Sequence, residues 1–131
     1  FLKLPGVQVT HLIDPDNRVF AGRIAQVKKL GGNRPKCFQD IRQALEDKDL
    51  DAVSVATCNH WHSLITIWAC QAGKDVYVEK PCSHNVREGQ LMIEAASVSS
   101  SAAVLLICSS NSVGISRVIV VTGLPAYSAC I

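Results

Sequence analysis

Charge is nearly absent from the last 37 residues of this chain. Of its 24 acidic and basic side chains, only Arg117 lies beyond Glu94, whereas nine serines do. Basic runs interleaved with aromatics are missing too, and the formal charge is only +2. A dedicated nucleic-acid or anionic-membrane binder is therefore excluded. The longest uninterrupted apolar run, Ala102–Cys108, is too short to span a bilayer. No basic, apolar, small-residue order opens the chain, so no secretory leader is expected. No two cysteines are spaced Cys-x-x-Cys, and six in 131 residues are too sparse for a disulfide scaffold. Mostly reduced thiols in a reducing, cytoplasmic setting are the expectation. No internal repeat is visible.

What is present is an ordinary core-forming composition, 48% apolar and 18% charged, in a length suited to one domain. Residues 7–13 are β-branched and partly alternating, and Asp14-Pro15-Asp16-Asn17 stops them. Phe20, Ile24 and Val27 then recur at helical spacing, with Asp16 or Asn17 placed to cap and Gly31-Gly32-Asn33 to terminate. A short strand at residues 36–38 and a helix over 40–47 follow. The nearly uncharged run at 51–57 reads as a strand buried on both faces of a parallel sheet. Asn59 is placed to cap a helix with an apolar face of Trp61, Leu64, Ile65, Trp68, Ala69 and Ala72, closed by Gly73. Residues 76–78 form the next strand, and a helix runs from about Asn85 to Ala96, with Asn85 and Glu88 at capping-box spacing. This alternation predicts right-handed βαβ crossovers and a parallel sheet with helices on both faces. A further parallel strand is expected near Ala102. Residues 117–122 read as a strand whose setting stays open: a hairpin, a sheet edge or unstructured chain.

In an open parallel sheet, ligands bind beyond the carboxyl ends of the strands. Polar residues collect there: Asp14; then Thr57, Cys58, Asn59, His60 and His62; then Glu79 and Lys80. An acidic residue in the position of Asp14 accepts from an adenosine ribose diol and repels a 2′-phosphate, although Asp-Pro-Asp-Asn is equally good turn chemistry. A lysine at the mouth of a sheet, such as Lys80, can exchange a proton with a substrate hydroxyl. The pairs Cys58-x-His60-x-His62 and Cys82-x-His84 match no standard zinc spacing, and no metal site is expected. Trp61 and Trp68 read as a core stripe, and Gly89 as an allowance for close helix–sheet packing.

Taken together, residues 51–62 (Asp-Ala-Val-Ser-Val-Ala-Thr-Cys-Asn-His-Trp-His) and 72–81 (Ala-Gly-Lys-Asp-Val-Tyr-Val-Glu-Lys-Pro) resemble the glucose–fructose oxidoreductase/inositol dehydrogenase/MocA family. The resemblance covers about residues 5–96 and includes the helix carrying Glu88-Gly89. It implies an α/β fold, a partial doubly wound parallel sheet of the NAD(P)-binding Rossmann type. On this reading the first strand and helix and the C-terminal substrate domain are lacking. It also implies an oxidoreductase that transfers hydride between nicotinamide and a sugar- or polyol-like substrate, homo-oligomeric in many full-length members. Carried over by position, Asp14 would contact the adenosine ribose, favouring NAD over NADP. Thr57, Asn59 and His62 would line the cofactor loop, and Glu79 would lie near the nicotinamide ribose. Lys80 would assist proton movement at the oxidised carbinol, aimed inward by a cis Pro81.

The sequence departs from the family pattern in three respects. The glycine-rich phosphate turn would fall before Phe1, and Gly31-Gly32 follows a helix, the wrong context for it. The acidic and histidine residues that complete the site belong to the lacking substrate domain. Cys58 stands where the family commonly has proline. The expected organisation is a partial Rossmann domain over residues 1–96 and a divergent, low-charge tail over 97–131, foreign to the family and holding one or two strands. Incomplete catalytic machinery leaves a second expectation beside the enzyme: a non-catalytic, nucleotide-binding or structural Rossmann remnant.

Overall fold

The computed structural model describes residues 6–99, 104–106 and 117–122, the last two segments as backbone strands. The chain order is β1 (Gln8–Ile13), a single 3-10 turn (Asn17–Val19), α1 (Phe20–Lys29), β2 (Lys36–Phe38), α2 (Ile41–Leu45), β3 (Ala52–Ala56), α3 (Asn59–Gln71), β4 (Asp75–Val78), α4 (Val86–Val98), β5 (Val104–Leu106) and β6 (Arg117–Thr122). All six strands join one sheet in the order β2-β1-β6-β3-β4-β5. Every described pairing in it is parallel.

Local chemistry sets most element boundaries. Asp16 accepts from the Arg18 N–H and opens the 3-10 turn, and Asp40 caps α2 through the Arg42 N–H. Gly31 and Gly73 adopt φ of +84° and +69° just beyond α1 and α3, where a Cβ would be strained. Asn85 Oδ1 accepts from the Glu88 N–H while Glu88 Oε1 accepts from Asn85 Nδ2, so both side chains secure the start of α4. The expected cap on α3 lies one residue earlier than read. Cys58 holds the extended cap position, Asn59 is the first helical residue, and no side chain caps the turn.

The main core gathers Val53 and Val55 of β3, Val76 and Val78 of β4, Ile65 and Ala69 of α3, and Met92 of α4. A smaller cluster joins Val9 and Leu12 of β1 to Val27 of α1. Strict alternation would place Val9 and Leu12 on opposite faces. A bulge between Val9 and His11 restores them to the same face, where α1 covers them.

The buried face of α3 differs from the expected stripe. Ile65 and Ala69 are buried as read, but His62, Ser63, Thr66 and Cys70 are buried too, while Trp61 and Leu64 are exposed. The reason is that α3 packs on the sheet and on α4 together, and Ser63 Oγ donates to Glu88 Oε2 at 2.8 Å. Gly89 faces the Ser83 side chain, 3.3 Å from where a Cβ would stand, so its small size serves a loop contact rather than the sheet.

The strand near Ala102 is β5, parallel to β4. The strand at 117–122 is neither hairpin nor edge, because β6 is central and parallel to both β1 and β3. The N-terminal strand-and-helix unit that the resemblance places ahead of β1 is not among the described residues. Its place in the sheet is held by β6.

Candidate functional site

The carboxyl ends of β1, β2 and β3 enclose a cleft of about 360 Å³. Its walls are largely apolar, with Ile13 from β1, Ile65 and Trp68 from α3, and Trp61 at the loop end of that helix. Trp61 is 47% exposed, so it is a cleft residue rather than part of a core stripe. Trp68 does pack against the core, and the Arg42 guanidinium lies 5.6 Å from its ring centroid. Arg42 also pairs with Asp40 at 2.6 Å, and its hydrogen bonds hold the Asp40 carboxyl below the usual carboxylate range.

Asp14 closes β1 and is only 2% exposed. Its N–H donates to Phe38 O, and its carboxylate accepts from the Asp16 N–H at 2.9 Å. Its chain neighbours Ile13 and Pro15 line the cleft, whereas Asp14 itself does not. Thr57 lines the cleft directly, and its hydroxyl donates to Cys58 O. Asn59 is half-buried at the first turn of α3.

His62 lies beneath this loop, 2% exposed. Its Nε2 is 2.9 Å from Thr57 O and its Nδ1 is 2.7 Å from Pro81 O. One ring therefore ties the loop after β3 to the turn after β4. Both partners are carbonyl oxygens, which only accept. The ring donates to one of them in either neutral tautomer and to both when doubly protonated.

Glu79, Lys80 and Pro81 follow β4 but do not line the cleft, and His62 is the link that couples them to it. The Glu79 N–H donates to Val55 O, which continues the ladder. Tyr77 sits two residues before. Burial, the Glu79 charge and a hydrogen bond to Glu79 all push its phenol upward. The Lys80–Pro81 bond is cis, and Lys80 is exposed. Glu88 braces the turn from below, accepting from the His84 N–H and from Ser63 Oγ. These bonds hold its carboxyl below the ordinary range, the His84 N–H contributing most.

Gln39 and Arg42 are cleft residues absent from the sequence-based candidates. Gln39 and Arg42 follow β2, so the same carboxyl-end rule would have found them had that short strand been weighted equally. Gln39 Nε2 donates to Pro15 O at 2.7 Å and joins the loops after β1 and β2. Cys58, which lines the cleft, forms a disulfide, whereas Cys37, Cys70 and Cys82 are free. Among the described residues, no helix is long and apolar enough to cross a membrane, and no group of three or more His, Cys, Asp or Glu is arranged to hold a metal ion.

Comparison with known proteins bears on the whole arrangement. Residues 2–108 match the model of the oxidoreductase family with an NAD-binding Rossmann fold, which extends the resemblance past Ala96. The chain is 39% identical to levoglucosan dehydrogenase of Pseudarthrobacter phenanthrenivorans over 56 residues, 43% of this chain and 14% of that protein. It is 32% identical to inositol 2-dehydrogenase of Leifsonia xyli over 91 residues, 70% of this chain and 25% of that protein. Among solved structures it is similar to levoglucosan dehydrogenase in complex with NADH and levoglucosan. That likeness has a TM-score of 0.59 and 26% identity, covering 70% of this chain and 24% of the other. The chain thus spans a quarter or less of the length of these relatives. With the parallel sheet, the carboxyl-edge cleft and the family match in agreement, the chain belongs to the Gfo/Idh/MocA oxidoreductase family, and its fold is the NAD-binding Rossmann fold.

Proposed function

We propose that this chain forms the cofactor-binding part of an oxidoreductase that moves hydride between a nicotinamide dinucleotide and a sugar- or polyol-like substrate. The observation that carries the reading is the apolar cleft at the carboxyl ends of β1, β2 and β3, beside the buried Asp14. Its volume of about 360 Å³ and its walls of Ile13, Ile65, Trp61 and Trp68 suit a purine ring. Asp14 sets a carboxylate at the end of β1, the position that favours a ribose diol and opposes a 2′-phosphate, so NAD is preferred over NADP. Thr57 and Asn59 border the adenosine half, and His62 holds their loop in place from beneath. When bound, the dinucleotide supplies the hydride acceptor or donor.

Glu79 and Lys80 stand at the end of β4, on the same edge of the sheet, where the nicotinamide half would extend. The Lys80 ammonium would exchange a proton with the substrate hydroxyl, and Pro81, whose carbonyl His62 engages, fixes the turn that carries it. The remaining substrate-binding groups come from outside residues 1–131 on this reading, so these residues bind dinucleotide without turning over. A fluorescence titration with NADH beside a turnover assay on myo-inositol and levoglucosan tests it. Saturable binding is expected from the wild type and from Lys80→Ala alike, with no turnover by either. Absence of NADH binding overturns the reading, and turnover overturns its claim of incompleteness.

A further inference from the structure

The turn that opens α3 carries the cleft residues Thr57, Cys58, His60 and Trp61, yet no side chain caps it. Such a turn is ordinarily held by a Ser, Thr, Asp or Asn oxygen that meets a first-turn N–H. Cys58 stands in that position, and its sulfur is engaged in a disulfide instead. We propose that this disulfide is a redox-reversible brace on the cofactor loop. Oxidised, it holds the loop in its binding shape; reduction by a dithiol loosens the loop and weakens dinucleotide binding.

The backbone at Cys58 shows why a brace is needed there. Its φ of −61° and ψ of 143° match the φ that a proline ring fixes, but a cysteine is free to leave that conformation. A cross-link restricts it by removing the alternatives. The Cys58 carbonyl accepts from the Trp61 N–H at 3.0 Å and from the Thr57 hydroxyl at 3.1 Å. The turn therefore sets where Trp61, a wall of the cleft, begins its helix. His62 anchors the loop from beneath at the Thr57 carbonyl, one residue earlier. The disulfide secures the step between that anchor and the helix. Cys58 is only half-buried, so a reductant can reach it, and Cys37, Cys70 and Cys82 are already free thiols.

A dithiol balances the exchange. One of its thiolates attacks the partner sulfur, the S–S bond breaks, and Cys58 departs as a thiolate, a charge that a helix amino end favours. The second thiolate of the reductant then attacks its own sulfur in the mixed disulfide and releases the partner thiolate. Two electrons pass to the two cysteines, which take up the two protons the dithiol has shed, and the reductant leaves as a cyclic disulfide.

The effect on NADH rests on the dinucleotide reading above, whereas the brace itself does not. Hydrogen exchange and NADH fluorescence titration on the 131-residue chain, oxidised and after dithiothreitol, separate them. Reduction is expected to speed exchange of the Trp61 amide at least about 5-fold, with residues 52–56 unchanged. The Kd for NADH is expected to rise at least about 3-fold. Cys58→Ala should behave as the reduced protein with or without dithiothreitol. Cys58→Pro keeps the carbonyl and fixes φ without sulfur, so it should give slow Trp61 exchange and tight NADH binding, both insensitive to dithiothreitol. Equal Trp61 exchange in oxidised and reduced wild type overturns the brace. So does faster exchange spread equally over 52–56, which makes the bond a support of the whole fold. Faster Trp61 exchange with unchanged NADH affinity overturns the control of binding. NADH binding in neither redox state counts against the dinucleotide reading instead, and the Trp61 amide still decides the brace.

Discussion

His62→Ala tests how the two halves of the proposed site are coupled. The imidazole is buried in α3 and spans from Thr57 O to Pro81 O at 2.9 and 2.7 Å. Its removal costs the hydrogen bond that the neutral ring donates to one of these carbonyls, about 0.5–1.5 kcal/mol net. The void left by the ring adds about 1 kcal/mol after partial collapse. The sum, about 1.5–2.5 kcal/mol, is a sizeable part of the 5–15 kcal/mol typical of a folded domain. For a chain of this size it corresponds to a fall in Tm of about 10 °C, read by circular dichroism. Because the lost ring tied the loop after β3 to the Lys80–Pro81 turn, NADH affinity should weaken by at least about 10-fold, or about 1.4 kcal/mol. His62→Gln keeps an amide donor and should recover part of both losses. A His62→Ala protein with Tm within about 2 °C of wild type and unchanged affinity would refute the coupling.

Other perturbations test separate parts of the account. Lys74 is 7% exposed and donates to Asp47 O and Leu50 O, so Lys74→Ala should cost about 1–3 kcal/mol in urea unfolding. Asn85→Ala removes the α4 cap and should cost about 1 kcal/mol by the same measurement. His11 is held below its ordinary 6.5, chiefly by burial, against the opposing pull of Asp47 3.3 Å away. The unfolded state therefore binds the extra proton first as pH falls below 6.5, and stability should drop through that window and not above it. His11→Leu should flatten the slope there; an unchanged slope would place its origin elsewhere. Asp14→Asn should narrow the preference for NADH over NADPH in parallel titrations, through lost repulsion of the 2′-phosphate.

Features set by local chemistry were legible before the structure. Asn85 caps as read and Asp16, one of the two candidates, opens its turn, because an Asx side chain meets a backbone N–H two or three residues away. The run at 52–56 announces a doubly buried strand by its lack of charge. Features set by distant partners were not legible. Trp61 has the helical spacing of a core residue, but it lies at the end of α3 that reaches past the strands, where an apolar side chain meets the cleft. The inward face of α3 includes His62 and Thr66 because α4 and the Pro81 turn lie against it, and neither contact is local. The place of β6 depends on pairing Val120 with Ser54 across 66 positions of sequence, which no periodicity within residues 117–122 encodes.

The central claim is that the carboxyl-edge cleft receives a nicotinamide dinucleotide, and backbone amide shift mapping by NMR during an NADH titration tests it most directly. The account predicts saturable shifts at Gln39, Arg42 and residues 57–61, with the Trp61 indole N–H among the largest, and little change on the far end of α4 near Val98. Shifts confined to α4, or none at saturating NADH, would contradict it.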